Sequence, residues 1–122
     1  MILADTSVWI DHLRSGDKDM RERLDRAEIA IHPFVIAELA LGSLRERSKT
    51  LAFLDLLPQV RMAQTIEVRL AIEARRLHGV GIGLVDAHLI ASALIDSSVR
   101  LWTRDLKLRG VAEGLGIHAG LP

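Results

Sequence analysis

The segment Ile2-Leu3-Ala4-Asp5-Thr6-Ser7 sets the architecture that we predict for this chain. Three apolar residues are followed at once by a carboxylate and two hydroxyls, and an apolar helical pattern then runs from Thr6 to Leu13. This order predicts a short buried strand, a carboxylate at its carboxyl end, and a helix directly after it.

Strand and helix patterns alternate along the rest of the sequence. Further strands are predicted at 28–31, 60–62, 99–102 and 116–118, and further helices at 18–27, 33–44, 48–56, 65–78, 85–95 and 106–113. Parallel strands need crossovers, and right-handed crossovers lay helices on both faces of the sheet. We therefore expect an α/β fold, a three-layer α/β/α sandwich with a four- to five-stranded parallel sheet. No linker or repeat divides residues 1–122, so one domain is expected.

Composition excludes several classes of protein. The 122 residues contain no cysteine, which excludes a disulfide framework, a cysteine-ligated metal site and a thiol nucleophile. The 16 basic and 16 acidic residues cancel, which argues against coating nucleic acid by bulk charge but leaves room for a local basic rim. The longest apolar stretch, 84–95, is too short for a membrane span, and no targeting segment is apparent, so a cytoplasmic protein is expected.

Acidic and hydroxyl residues follow two of the predicted strands. Asp5 follows the first strand, and Thr103 and Asp105 follow the strand at 99–102. In open α/β sheets, ligands bind beyond the carboxyl ends of the strands. Taken singly, Asp5 and Asp105 also fit helix N-caps.

Two further acids lie on apolar helical stripes. Glu38 has apolar neighbours one turn away on both sides, and Asp86 precedes Leu89 and Ile90 at helical spacing. An inward carboxylate needs compensation, either from a buried arginine or from a bound cation. Four carboxylates without cysteine or a histidine pair suit Mg²⁺ or Mn²⁺ rather than zinc. Such ions can activate water against a phosphodiester.

Four stretches of the sequence resemble the acidic motifs of the PIN-domain ribonucleases. They are residues 2–9 (Ile-Leu-Ala-Asp-Thr-Ser-Val-Trp), 38–42 (Glu-Leu-Ala-Leu-Gly), 85–91 (Val-Asp-Ala-His-Leu-Ile-Ala) and 101–105 (Leu-Trp-Thr-Arg-Asp). Their order and spacing, and the length of the chain, resemble the small prokaryotic VapC-type toxins. The resemblance implies a parallel sheet in the order 3-2-1-4-5, RNA as substrate, Mg²⁺ or Mn²⁺ as cofactor, a homodimer, and an antitoxin that blocks the site.

The resemblance also assigns roles to residues of this chain. Asp5 and Asp86 match the main metal ligands, Glu38 and Asp105 match the remaining acids, and Thr103 matches the hydroxyl beside them. The chain departs from the family pattern after the last acid, where Leu-Lys-Leu at 106–108 replaces the commoner polar residue and phenylalanine.

The sequence therefore predicts a Mg²⁺- or Mn²⁺-dependent endoribonuclease that acts as the toxin of a toxin–antitoxin pair. One alternative is a PIN-like module that binds RNA or protein without catalysis. A less favoured one is an aspartyl-phosphate phosphatase using Asp5, which would need a second aspartate where this chain has Ser7. Thr6 and Ser7 could assist through water, and His88 is expected to pack in the core. Five basic residues could rim the cleft: Arg45, Arg47, Lys49, Arg104 and Lys107.

Overall fold

The structure is a computed structural model that describes residues 1–122 and contains three strands and seven helices. In chain order these are β1 (Ile2–Ala4), α1 (Thr6–Ser15), α2 (Lys18–Asp25), β2 (Ile29–Ala30), α3 (Pro33–Leu41), α4 (Arg47–Leu56), α5 (Thr65–Ala74), α6 (Leu84–Ile95), β3 (Arg100–Trp102) and α7 (Leu106–Gly114). The predicted α/β class is confirmed. None of the seven helices is long and apolar enough to cross a membrane.

The three strands form a parallel sheet in the order β2-β1-β3. Leu3 of β1 pairs with Ala30 on one side and with Leu101 on the other. Leu3 and Ala4 point to opposite faces of the sheet, yet both are fully buried. The sheet is therefore covered on both faces, as the predicted three-layer arrangement requires.

The prediction of four to five strands is wrong, because the segments at 60–62 and 116–118 do not form strands. Instead there is one parallel bridge on each side: Gln59, directly before the first segment, pairs with Ile31, and His118 of the second pairs with Leu101. The next bond beside β2 would need the amide of residue 33, which is proline. Beside β3, the amide of Ile117 donates to the carbonyl of Ala112 instead of extending the ladder. The bridged segments still lie outside β2 and β3, in the order expected for five strands.

Two helices end earlier than predicted. α5 ends at Ala74 rather than at residue 78, since Arg76 has a φ of 54° and Leu77 turns into the core at 6% exposure. α3 ends at Leu41 rather than at residue 44. The guanidinium of Arg47 donates to the carbonyls of Ala40 and Gly42 (2.6 and 3.2 Å), which satisfies backbone oxygens at the end of that helix.

Candidate active site

Asp5 is a buried carboxylate at the junction of β1 and α1, 5% exposed. Its Oδ1 accepts a hydrogen bond from the backbone N–H of Thr6 (2.7 Å), so Asp5 is the N-cap of α1. Its Oδ2 accepts hydrogen bonds from the hydroxyls of Ser7 (2.9 Å) and Thr103 (2.7 Å). Capping and a place at the sheet edge are therefore compatible in this residue, and the chain fixes the orientation of the carboxylate.

Thr103 connects the ends of β1 and β3. Its fully buried hydroxyl donates to Asp5 and accepts the backbone N–H of Asp105 (3.1 Å). The hydroxyl of Ser7 also accepts the backbone N–H of Arg104 (3.1 Å). Two hydroxyls thus tie Asp5 to the loop after β3, and the contribution of Ser7, which the sequence left open, is a direct hydrogen bond to Asp5.

Asp105 and Glu38 lie at the exposed side of the same edge. Asp105 caps α7, since its Oδ1 accepts the backbone N–H of Leu108 (2.9 Å). Glu38 accepts a hydrogen bond at Oε1 from the hydroxyl of Thr6 (2.7 Å).

The expectation that Glu38 points inward is wrong, because its side chain is exposed. The buried face of α3 runs through Val35 and Leu39. Glu38 lies about 100° around the helix from Leu39, since an α-helix has about 3.6 residues per turn.

Asp86 is half-buried in the first turn of α6. Its Oδ2 accepts the backbone N–H of Gly83 (3.1 Å), which favours the charged form. Burial nevertheless raises the pKa of Asp86 above its usual value, and the negative charges of Asp5, Asp105 and Glu38 raise it further. The structure thus brings the four predicted acids to one edge of the sheet, close enough to act on one another's charge. We call Asp5, Glu38, Asp86 and Asp105 the acidic cluster.

No cation of the protein neutralises the acidic cluster. The structure contains seven ion-pair contacts, and none includes any of the four carboxylates. Arg104, although it is adjacent in sequence to Asp105, turns away and pairs with Asp11 (2.8 Å) and Asp17 (2.7 Å). Pairing of Glu38 or Asp86 with a buried arginine, one of the two alternatives open from the sequence, does not occur.

The acidic cluster offers carboxylate oxygens, the ligand type that hard divalent cations prefer. Glu38, Asp86 and Asp105 each have one oxygen held by a hydrogen bond and one that accepts none from the protein. Ligating carboxylates are commonly oriented in this way. As the side chains stand, no three histidine, aspartate or glutamate residues converge closely enough to enclose a metal ion. An ion held by three or more of these carboxylates would therefore require side chains of the acidic cluster to turn toward it.

The predicted basic rim is mostly engaged elsewhere. Besides Arg104, Arg47 donates to carbonyls of α3, Lys49 pairs with Glu46 (3.5 Å), and the Lys107 side chain packs against Gly81. Arg45 does line a cleft beside Glu38. Arg14 also lines this cleft but is not among the five basic residues predicted from the sequence. It lies on the same face of α1 as Thr6 and Ile10. That spacing was the signal that could have identified it.

Two buried histidines, His88 and His32, pack against Phe34 between α3 and α6. His88 is 5% exposed, and its ring lies 4.7 Å from that of Phe34 and 6.0 Å from that of His32. His32 is the N-cap of α3, with Nδ1 accepting the backbone N–H of Phe34 (2.9 Å). Burial, with a smaller effect of His88, lowers the pKa of His32 to about 4, so this ring is neutral at pH 7. The three rings join α3, which carries Glu38, to α6, which carries Asp86.

Comparison with known proteins gives two findings. The PIN domain family matches residues 2–114, a range that contains the whole acidic cluster. Ribonuclease VapC32 of Mycobacterium tuberculosis, from strain CDC 1551 / Oshkosh and from strain ATCC 25618 / H37Rv, is 44% identical to this chain over 117 residues. The aligned region covers 96% of this chain and 94% of the mycobacterial protein. The similarity therefore extends over almost the full length of both proteins.

Proposed function

The chain belongs to the PIN domain family as a VapC-type member, and from this premise we propose that it is a Mg²⁺- or Mn²⁺-dependent endoribonuclease, the toxin of a toxin–antitoxin pair. Residues 1–122 would form one PIN-like domain. The observation that carries the proposal is the acidic cluster: four carboxylates at the carboxyl edge of a parallel sheet, with no cation of the protein beside them. The mycobacterial relative is named a ribonuclease, which supports RNA as the substrate.

Asp5 and Asp86 are the proposed principal ligands of the ion, with Glu38 and Asp105 completing the site. A bound Mg²⁺ or Mn²⁺ would supply Lewis-acid activation of water and stabilisation of the leaving oxygen. Burial and, to a smaller extent, repulsion from the neighbouring carboxylates raise the pKa of Asp86, and a bound cation would offset both effects, so the cluster favours one. This electrostatic preference is independent of any particular coordination geometry.

Buried and exposed residues of the site have different proposed roles. Thr103 and Ser7 hold both the position and the orientation of Asp5. Glu38 and Asp105 are exposed, and each has an oxygen without a protein partner. They are the carboxylates available to accept the proton that the attacking water releases. We infer attack by an external water, which does not use the 2′-hydroxyl, with cleavage of the bond between phosphorus and the 3′ oxygen, so the products should carry 5′-phosphate and 3′-hydroxyl ends.

Exposed apolar side chains support the proposed protein partners. Leu41 at the end of α3 and Leu56 on α4 are 89% and 86% exposed, and Leu70 on α5 is 62% exposed. Large apolar side chains exposed to this extent are expected at sites covered by another protein. We assign α4 and α5 to a homodimer contact and the surface beside the acidic cluster to the antitoxin, whose arginine would supply positive charge there. The proposed setting of the pair is the cytoplasm.

Cleavage of RNA with Mg²⁺ or Mn²⁺, with excess EDTA, and by the Asp5→Asn variant tests the proposal. We expect cleavage only by the wild type with metal, and unchanged circular dichroism in the variant. A substrate with a 2′-deoxy sugar at the mapped cleavage position should still be cut. Full activity in EDTA or in the folded variant would contradict the metal mechanism. RNA binding by the wild type without any cleavage would identify a non-catalytic module.

The phosphatase alternative is disfavoured by the surroundings of Asp5. Both of its oxygens accept hydrogen bonds, one from the backbone and the other from two hydroxyls. One of these hydroxyls belongs to Ser7, which occupies the position two residues after Asp5 where an aspartyl-phosphate phosphatase would need a second aspartate.

A further inference from the structure

A cleft of about 310 Å³ opens directly beside the acidic cluster. Thr6 and Glu38, which are joined by a hydrogen bond of 2.7 Å, line one end of it. The cleft continues along α1 and the segment that follows α3. Whatever occupies it would therefore be continuous with a molecule that lies at the acidic cluster.

The walls of the cleft combine apolar and cationic side chains. Its apolar lining comes from Ile10 and Leu13 of α1 together with Leu39 and Leu44. Arg14 and Arg45 also line the cleft, and both are exposed.

Neither arginine is used within the protein. Neither Arg14 nor Arg45 forms an ion pair, and neither side chain donates a hydrogen bond to the protein, although Glu38 lines the same cleft. By contrast, Arg47 and Arg104 nearby are each held by protein oxygens. The two cleft arginines are therefore available to an anionic ligand.

We propose that this cleft is a subsite for one unpaired nucleotide of the RNA substrate, next to the phosphodiester that is cut. The base lies against the apolar walls, and Arg14 and Arg45 contact the phosphates on either side of it. The inference rests on the proposed function and extends it, because it names residues that bind the substrate outside the acidic cluster.

Size and chemistry together favour a single nucleotide. A volume of about 310 Å³ is at the lower limit of ligand pockets, so the cleft suits one small group rather than a duplex. Proteins that recognise RNA commonly bind bases that are splayed out from a single strand. Guanidinium groups match the geometry of phosphate oxygens. A purely apolar protein segment would leave both arginines without anionic partners.

Binding of a labelled single-stranded RNA that contains the mapped cleavage site tests the subsite, measured in the Asp5→Asn background at several salt concentrations. Each phosphate contact adds about 0.7 to the slope of log Kd against log salt for single strands. Arg14→Gln and Arg45→Gln should each lower that slope by about 0.7 and weaken binding severalfold at low salt. The matched control is Arg26→Gln, an exposed arginine after α2 that forms no ion pair, which should leave the slope unchanged.

The base contact is tested separately by substituting single abasic nucleotides along the same RNA. We expect one position, adjacent to the cleavage site, at which loss of the base weakens binding roughly threefold to tenfold. This loss of affinity lies at the lower end of what is usual for a single base contact. Ser43→Phe, which adds bulk to the lining of the cleft, should remove this dependence.

Slopes for both arginine variants equal to that of Arg26→Gln, or no sensitive abasic position, would overturn the subsite. Loss of affinity for a protein partner with RNA binding unchanged would also overturn it and would make the cleft a protein-docking surface. Wild-type protein that cleaves RNA while the cleft variants behave normally refutes only the subsite. Failure of the wild type to cleave any RNA refutes the proposed function.

Discussion

Two groups of acidic side chains differ in what surrounds them: Asp11 and Asp17, which pair with Arg104 of the loop after β3, and the acidic cluster at the carboxyl ends of the strands. In the first, Arg104 donates to Asp11 and Asp17, and this contact holds the pKa of Asp17 below its usual value. In the acidic cluster, burial and neighbouring negative charges hold the pKa of Asp86 above its usual value. Opposite shifts within one small region show that the fold compensates one group of acids and leaves the other uncompensated.

The compensated group supports the site without entering it. Its arginine belongs to the loop after β3, and the backbone N–H of that residue donates to Ser7, which in turn holds Asp5. The guanidinium points away, toward α1 and the segment before α2, so it adds no positive charge to the acidic cluster. The presence or absence of a basic partner, rather than burial alone, therefore distinguishes a structural carboxylate from a candidate metal ligand.

The largest expected effect is on catalysis. Asp86→Asn should reduce RNA cleavage by at least about 10³-fold, because it removes the charge of a proposed metal ligand while preserving volume and an acceptor for the backbone N–H of Gly83. Asp17→Asn should keep cleavage within about fivefold of wild type, since its partner is Arg104. Single-turnover rates on one labelled RNA give both numbers. Equal losses in the two variants would remove the functional distinction between the groups.

A smaller effect is expected on stability when Arg104, the positive partner of Asp11 and Asp17, is replaced. Arg104→Met should lower the free energy of unfolding by about 2 kcal/mol, because it leaves two carboxylates without their partner, one of them largely shielded. The control, Lys49→Met, breaks an exposed pair with Glu46 and should cost less than about 0.5 kcal/mol. Urea unfolding of wild type and both variants gives the two changes in the free energy of unfolding. A loss no greater than the control's would mean that Arg104 contributes little structural support.

The smallest effect distinguishes the two groups by sign. In EDTA at pH 7, Asp86→Asn should melt about 1–3 °C above wild type, since it removes a half-buried charge and relieves repulsion, and Asp17→Asn should melt about 3–6 °C below it.

The pH dependence of these differences follows from the direction of each shift. A raised pKa in Asp86 means that its charge opposes folding at neutral pH, and this penalty disappears as pH falls through the raised value toward 3.8. A lowered pKa in Asp17 means stabilisation that is present above 3.8 and lost as pH falls through the lowered value. In melting curves between pH 3 and 7, the melting temperatures of Asp86→Asn and of Asp17→Asn should each approach that of wild type as the pH falls. Shifts of the same sign for both variants at pH 7 would contradict the comparison.

Local sequence signals predicted much of the fold and the site. An apolar run that ends in an acid located β1 and Asp5, and a proline at the first helical position located the start of α3. The two acids predicted as possible N-caps, Asp5 and Asp105, do cap α1 and α7. These features depend on a few neighbouring residues, so periodicity and capping chemistry were sufficient to find them.

Features that depend on distant contacts were not predictable in the same way. The missing outer strand beside β2 results from the absent amide of Pro33, and the engagement of Arg104 depends on Asp11 and Asp17, far away in sequence. The orientation of Glu38 was misjudged because apolar neighbours on both sides did not reveal which face of α3 is buried. Tertiary packing decides the last two, whereas the effect of Pro33 becomes apparent only once the pairing register beside β2 is known.

Binding of Mn²⁺, followed by electron paramagnetic resonance, tests the central claim most directly, namely that the uncompensated carboxylates are the metal site. Wild type and Asp17→Asn should bind Mn²⁺ with similar affinity, and Asp86→Asn should bind it at least about tenfold more weakly. Equal binding by all three proteins, or no binding by the wild type at millimolar Mn²⁺, would contradict the account.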